Sequence, residues 1–246
     1  ILKNKNVKVN CYDNFNSTPL IYACKEEQED VINKILEKDC LLYQKDNENE
    51  DALSSAIILK NDKLALIIIK KWENDFNIPY KINKVNVYLI VRVIHNNLIK
   101  TADYLINSGR CSLSLIDVIN QTVLIYSIVK GRVEIAELLL KSKQNINVGF
   151  IDISKNTALT YCAGFNYTTL SKLLLNRNEC NPENDNIEEF DCIGYFIFHK
   201  QEELIIHTLK LYGHIFKQSF PKILKVSQKL KFKELEKFLR KKVKKY

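Results

Sequence analysis

Apolar positions along this chain recur in a frame rather than evenly. A leucine or isoleucine opens each frame, at Leu20, Leu53, Ile90, Leu124, Leu159 and Ile193, with spacings of 33, 37, 34, 35 and 34 residues. In the best copies a small Ala or Cys follows three or four positions later, as Ala23 and Cys24 do, and two apolar pairs come behind it. In the first frame these are Val31-Ile32 and Ile35-Leu36; in the second, Leu64-Ala65 and Ile68-Ile69. That spacing puts four apolar side chains on one face of a second helix. Each frame therefore predicts a helix-turn-helix pair. A single pair cannot bury its own apolar face, so the copies must stack, and the fixed period predicts a solenoid.

The polar positions punctuate the same frame. An Asp stands seven residues before the opening Leu at Asp13, Asp46, Asp117 and Asp152, which suits a turn. Thr18 can cap the exposed amides of the first helix, and Pro19 suits its first turn. With these residues in view, the frame resembles the ankyrin repeat, whose signature is D-x-x-G-x-T-P-L-H-x-A-A followed by I-V-x-x-L-L. The best copies run from Asp13 to Leu36, Asp117 to Leu140 and Asp152 to Leu175. Two departures stand out. The signature histidine is replaced throughout, by Ile21, Ser54, Val91, Ile125, Thr160 and Gly194, and Thr-Pro survives only at Thr18-Pro19. Another helix-pair solenoid would share the period, but the recurring Asp favours ankyrin.

The resemblance implies an all-α helix-turn-helix solenoid joined by short turns that form small β-hairpins. Residues 12–215 are expected to hold six repeats and residues 216–246 capping helices with a basic tail. Residues 1–11 read as the remnant of a truncated upstream repeat, since Val9-Asn10 sits where a closing V-N would, and the chain starts at Ile1 without any Met. The long spacing before Ile90 hides an insertion near Trp72, Phe76 and Tyr80, aromatic residues expected to fill a gap in an irregular repeat rather than to form a binding finger.

Composition changes this picture little. Hydrophobic residues at 46% with 27% charged residues mark a folded chain. The longest strongly apolar run, Leu64 to Ile69, is far too short for a membrane helix. Seven cysteines without a C-x-x-C pair, and four histidines without H-x-x-x-H, predict neither a disulfide framework nor a metal site; reduced thiols point to the cytoplasm. Cys24 and Cys162 hold small-residue positions, and Glu26, Glu27, Glu29 and Asp30 read as a solvated run. No phosphate loop, nucleophile elbow or zinc-protease motif occurs, so no enzyme activity and no cofactor is expected.

Net charge is +8, and its placement matters more than its size. Lys222 to Tyr246 holds eleven Lys or Arg against Glu234 and Glu236, which leaves the remainder near neutral. Phe232, Leu235, Leu239 and Val243 recur at helical spacing, so the tail reads as a cap with a Lys-rich outer face. Binding of nucleic acid or anionic lipid there is the alternative, and Arg240-Lys241-Lys242-Val243-Lys244-Lys245 adds a weak nuclear-import pattern.

What the resemblance implies for function is a monomeric, non-catalytic scaffold or adaptor that binds another protein; a targeting module of a larger protein is a further alternative. Degenerate arrays of this Lys, Asn and Ile-rich kind are similar to those abundant in protists and large DNA viruses. Ankyrin arrays bind partners on a concave side made of turn tips and first-helix ends. Carried over by position, the apolar residues expected there are Phe15, Ile58, Leu59, Val118, Ile119, Val129, Ile153, Phe165, Ile187, Phe190 and Phe198.

Overall fold

The computed structural model describes residues 7–73, 75–77, 79–82, 85–114, 121–177, 179–187 and 191–243. They fall into two compact units divided after Leu113. The first unit holds α1 (Pro19–Lys25), α2 (Glu29–Leu36), α3 (Ala52–Ile58), α4 (Asp62–Lys70), β1 (Pro79–Ile82), β2 (Val85–Tyr88), α5 (Leu89–His95) and α6 (Ile99–Asn107). The second holds α7 (Val123–Val129), α8 (Val133–Lys141), α9 (Ala158–Gly164), α10 (Thr168–Leu175), α11 (Cys192–Phe198), α12 (Glu202–Tyr212), α13 (Phe220–Leu230) and α14 (Lys233–Val243). The helices pair in order, a short inner one followed by an outer one.

Seven-residue inner helices are too short to persist alone in water, so packing and caps must hold them. Thr18, Asp51, Thr122, Thr157 and Asp191 each accept the amide three residues on, and Thr157 with Thr160 forms a capping box. Inner helices are covered on most sides: in α5 every residue from Leu89 to Ile94 is buried. Outer helices bury one stripe each, such as Ile135, Ala136, Leu139 and Leu140 in α8. The small residues lie at the contacts, with Cys24, Ala56, Ala136 and Cys162 fully buried.

The two helices of a pair join through one turn, repeated seven times among the described residues. Glu27, Lys60, Asn97, Gly131, Asn166, Lys200 and Lys231 all take left-handed backbone, with φ between 50° and 68°. The next amide then reaches back to close the first helix, as Gln28 N–H does to Ala23 O and Gln201 N–H to Phe196 O, a Schellman ending. Glycine suits this position, yet only Gly131 supplies it.

The turns ahead of the inner helices are built in two ways. Strand pairing occurs at one of them among the described residues, where β1 and β2 run antiparallel with Pro79 opposite Tyr88 and Ile82 opposite Val85. Ahead of α1, α3 and α9 the turn aspartate takes the amides for itself. Asp13, Asp46 and Asp152 each accept two backbone N–H groups, two and four residues on, at 2.8–3.0 Å. The insertion ahead of β1 fills a gap: Trp72, Phe76 and Tyr80 are buried, Arg110 lies 4.2 Å over the Phe76 ring, and its guanidinium donates to Trp72 O.

At the C-terminal end Phe232, Leu235 and Leu239 are buried, and α14 packs on both α12 and α13. Val243, the last member of that stripe, lies outside the residues whose side chains are described. In α13 it is Phe220 and Ile223 that turn inward, while Leu224 is half-exposed.

Candidate binding surface

Turn tips and the ends of inner helices form the candidate surface, and the sequence fixes both. At a tip, the aspartate Oδ1 ties down the turn while Oδ2 remains to anchor a side chain. Tyr22, in α1, donates to Asp13 Oδ2 at 2.6 Å, and Tyr161, in α9, donates to Asp152 Oδ2 at 2.7 Å. The bond to Tyr22 holds the Asp13 carboxyl below the usual range and lifts the phenol. Burial, with help from Asp152, pushes the Tyr161 phenol up to about 12. Ser55 stands nine residues after Asp46 in place of a tyrosine, and Lys25 of the preceding pair meets the Asp46 carboxylate instead, at 2.9 Å. There burial opposes ionisation but is outweighed by Lys25 and the turn amides, so the Asp46 carboxyl also lies low.

Neighbouring tips are stitched by backbone. Asn47 N–H donates to Phe15 O at 2.9 Å, and at the equivalent place Ile187 N–H donates to Ser154 O at 3.4 Å. These bonds set successive tips side by side and fix where their outward side chains stand.

Within the first unit, Phe15, Ile58 and Leu59 are exposed. In the second unit Ile153 is 74% exposed, Phe198 73%, Ile187 66% and Phe165 46%, while Val129 is half-exposed. Val118, Ile119 and Phe190 lie outside the described residues. The stitch at Ser154 brings Ile153 and Ile187 to adjacent tips. Phe165 stacks on Tyr161 with centroids 6.0 Å apart and leans on Tyr167 at 5.7 Å. His199 Nε2 meets Gly164 O at 2.8 Å and its ring stands edge-on to Phe198, 5.0 Å away, which ties the end of α11 to the end of α9. Apolar side chains that stay in water yet are held in place suit an interface.

Sequence reasoning missed the tyrosines that brace this surface. Tyr22, Tyr126, Tyr161 and Tyr195 each stand two residues after an opening Leu or Ile, and so nine after the turn position. That spacing was the available signal. Tyr195 meets the polar turn residue Asn186 at 2.9 Å. Ile151, 42% exposed beside the Asp152 turn, also went unnoticed.

The other candidate chemistry has packing explanations. Burial pushes the Cys24, Cys111 and Cys180 thiols up to about 12, which leaves almost no thiolate at neutral pH. Glu27 and Glu29 are exposed and act as struts to the next pair, meeting Asn61 and Lys63 at 2.7 Å. Among the described residues no group of His, Cys, Asp and Glu is placed to hold a metal ion, and no helix is long and apolar enough to cross a membrane.

The paired helices, left-handed joints and aspartate turns together define the ankyrin repeat fold. Residues 89–186 match the family model for ankyrin repeats in three copies. The chain is similar to the ankyrin repeat protein L371 of Acanthamoeba polyphaga mimivirus, 24% identical over 169 residues that make up 68% of this chain and 21% of the viral protein. Among solved structures, an ankyrin repeat domain from Acinetobacter baumannii AYE superposes with a TM-score of 0.64 at 21% identity, over 78% of this chain and 97% of that one. The ankyrin repeat protein EF0377 gives 0.61 at 16%, over 82% and 98%. Ankyrin repeats are in general protein–protein interaction modules.

Proposed function

We propose that this chain is a non-catalytic scaffold or adaptor module that docks a partner protein on its turn tips and inner-helix ends, chiefly through the second unit. The observation that supports this reading is the exposure of Ile153, Phe165, Ile187 and Phe198, each at a position held by hydrogen bonds or ring contacts. Water-exposed apolar anchors that are already ordered lose little entropy on binding. The reading takes residues 12–215 as the repeat array, residues 216–246 as its cap, the chain as a monomer, and the cytoplasm or nucleus as its place.

The test is affinity capture from the source cell with the wild type and with an Ile153→Asp, Phe198→Asp double variant. Both side chains face water, so the variant should fold as the wild type does. A partner retained by the wild type and lost from the variant supports the reading; equal recovery by both refutes it.

A second reading rests on α13 and α14. Lys222, Lys225, Lys229, Lys231, Lys233, Lys237, Arg240, Lys241 and Lys242 are all exposed there. Their helices spend Phe220, Ile223, Phe232, Leu235 and Leu239 on the cap, so little apolar face remains to enter a bilayer. A phosphate backbone fits such a surface better than a membrane does. Fluorescence anisotropy with labelled duplex RNA would show affinity falling steeply with salt, and a shallower slope after Lys→Gln changes at four of these sites. Salt-independent or absent binding leaves the pair as a cap only.

A further inference from the structure

The array ends without a last turn tip. Between outer and inner helices the connection runs over residues 37–51, 71–88, 108–122, 142–157 and 176–191, but only residues 213–219 join α12 to α13. That length is taken up by a 3-10 turn at Lys217–Ser219 and cannot form another tip. A cleft of about 480 Å³ opens between α11 and α13, in the second unit, where the next tip would lie. Ile193, Ile197, Ile223 and Val226 line it as apolar walls, Asp185 and Asp191 as carboxylates, and Lys222 as a cation whose charge partly offsets the burial of Asp191. Asp191 Oδ1 accepts Gly194 N–H at 2.7 Å, and no hydrogen bond to its Oδ2 is made among the described residues. Burial pushes this carboxyl upward.

The first unit shows what such a carboxylate takes when a tip follows. Asp51 stands at the same place in its frame, two residues before the opening Leu, and its Oδ1 accepts Ser54 N–H at 2.7 Å. Its Oδ2 accepts the Tyr80 hydroxyl at 3.0 Å, from the next tip, with the phenol ring buried. The other side-chain caps of inner helices, Thr18, Thr122 and Thr157, are neutral.

We propose that the cleft between α11 and α13 is a docking site for a tyrosine carried on a turn of a partner protein, its ring between the apolar walls and its hydroxyl on Asp191. The partner would supply the missing tip, as β1 supplies Tyr80 to Asp51. The site is separate from the exposed tips, so it stands or falls independently of the reading above.

The experiment titrates N-acetyltyrosinamide into the isotope-labelled full chain and follows backbone amide shifts. Shifts at Gly194, Ile197 and Val226, with at least fivefold tighter binding than N-acetylphenylalaninamide, are expected. Asp191→Asn should remove that preference, and Val226→Trp, which fills the cleft without touching the carboxylate, should remove the shifts altogether. Equal binding of the two amides, no shift at these amides, or tighter binding of N-acetylargininamide would each overturn the proposal.

Discussion

The tip ahead of α5, in the first unit, and the tip ahead of α9, in the second, hold equivalent places in their frames but are held by different physics. Ahead of α9 one carboxylate organises everything: Asp152 takes two amides and the half-exposed Tyr161 hydroxyl. Ahead of α5 a strand pair replaces the aspartate turn, and the anchor is a buried ionic cluster. Arg92, at the position where other copies carry tyrosine, donates to Ser54 Oγ at 3.0 Å and pairs with Glu50 at 3.1 Å. Its guanidinium lies 4.7 Å over the Tyr80 ring, which in turn bonds Asp51. The contrast teaches that the fold requires an anchor at each tip and does not prescribe its chemistry.

The largest expected effect is therefore at Arg92. Arg92→Ala leaves Glu50 without its buried cation and should cost about 3 kcal/mol, because a stranded charge costs more than the pair was worth. Urea unfolding followed by hydrogen exchange should place the loss in α3 and α5; a loss under 1 kcal/mol would show that water already solvates this cluster. Tyr161→Phe removes one hydrogen bond at a half-exposed site and should cost only about 1 kcal/mol. Equal losses at the two sites would erase the distinction between the two kinds of anchor.

Acid sharpens the same contrast. Burial raises the Asp51 carboxyl, so the folded chain keeps that proton to a higher pH than the unfolded chain, whose carboxyl titrates near 3.9. Stability from Asp51 is then full below that pH and is lost as pH rises through the folded value. Asp46, held low by Lys25 and its turn amides, has the opposite sign: its contribution is present above the unfolded value and lost as pH falls through the folded one. Relative to Asp51→Asn, the wild type should gain stability between pH 7 and about pH 4. Relative to Asp46→Asn, it should lose stability only at about pH 4 and below. Parallel pH profiles for both pairs would contradict the assignment.

The smallest effect concerns the joints. Lys60 and Lys200 pay for left-handed backbone that Gly131 adopts freely. Lys60→Gly and Lys200→Gly should each stabilise by about 0.5 kcal/mol, the relieved strain less the extra entropy of the unfolded glycine. Thermal melts of the single variants measure it, and destabilisation by either would mean the lysine side chains contribute more than their backbone costs.

Much of this was legible in the residues. The opening Leu and Ile positions, the apolar pairs behind them and the small residues between them set the helix pairs and their period, because local spacing alone decides which face of a helix is apolar. Asp13, Asp46 and Asp152 marked the turns for the same reason, since a carboxylate bonds amides two and four residues away whatever surrounds it. The ankyrin fold followed from these. What partners those carboxylates find on their second oxygen was decided only by packing, Tyr161 from nine residues on for Asp152 and Lys25 from the preceding pair for Asp46, and the cap Asp51 likewise finds Tyr80 from the following pair. Exposure was likewise settled in three dimensions. Phe165 and Phe76 are the same residue type, yet one stands in water on a helix end, while the other fills the space beneath Arg110 that an irregular repeat had opened. The cleft beside Asp191 had no sign in the local pattern, because it arises from a neighbour that the short connection to α13 does not supply.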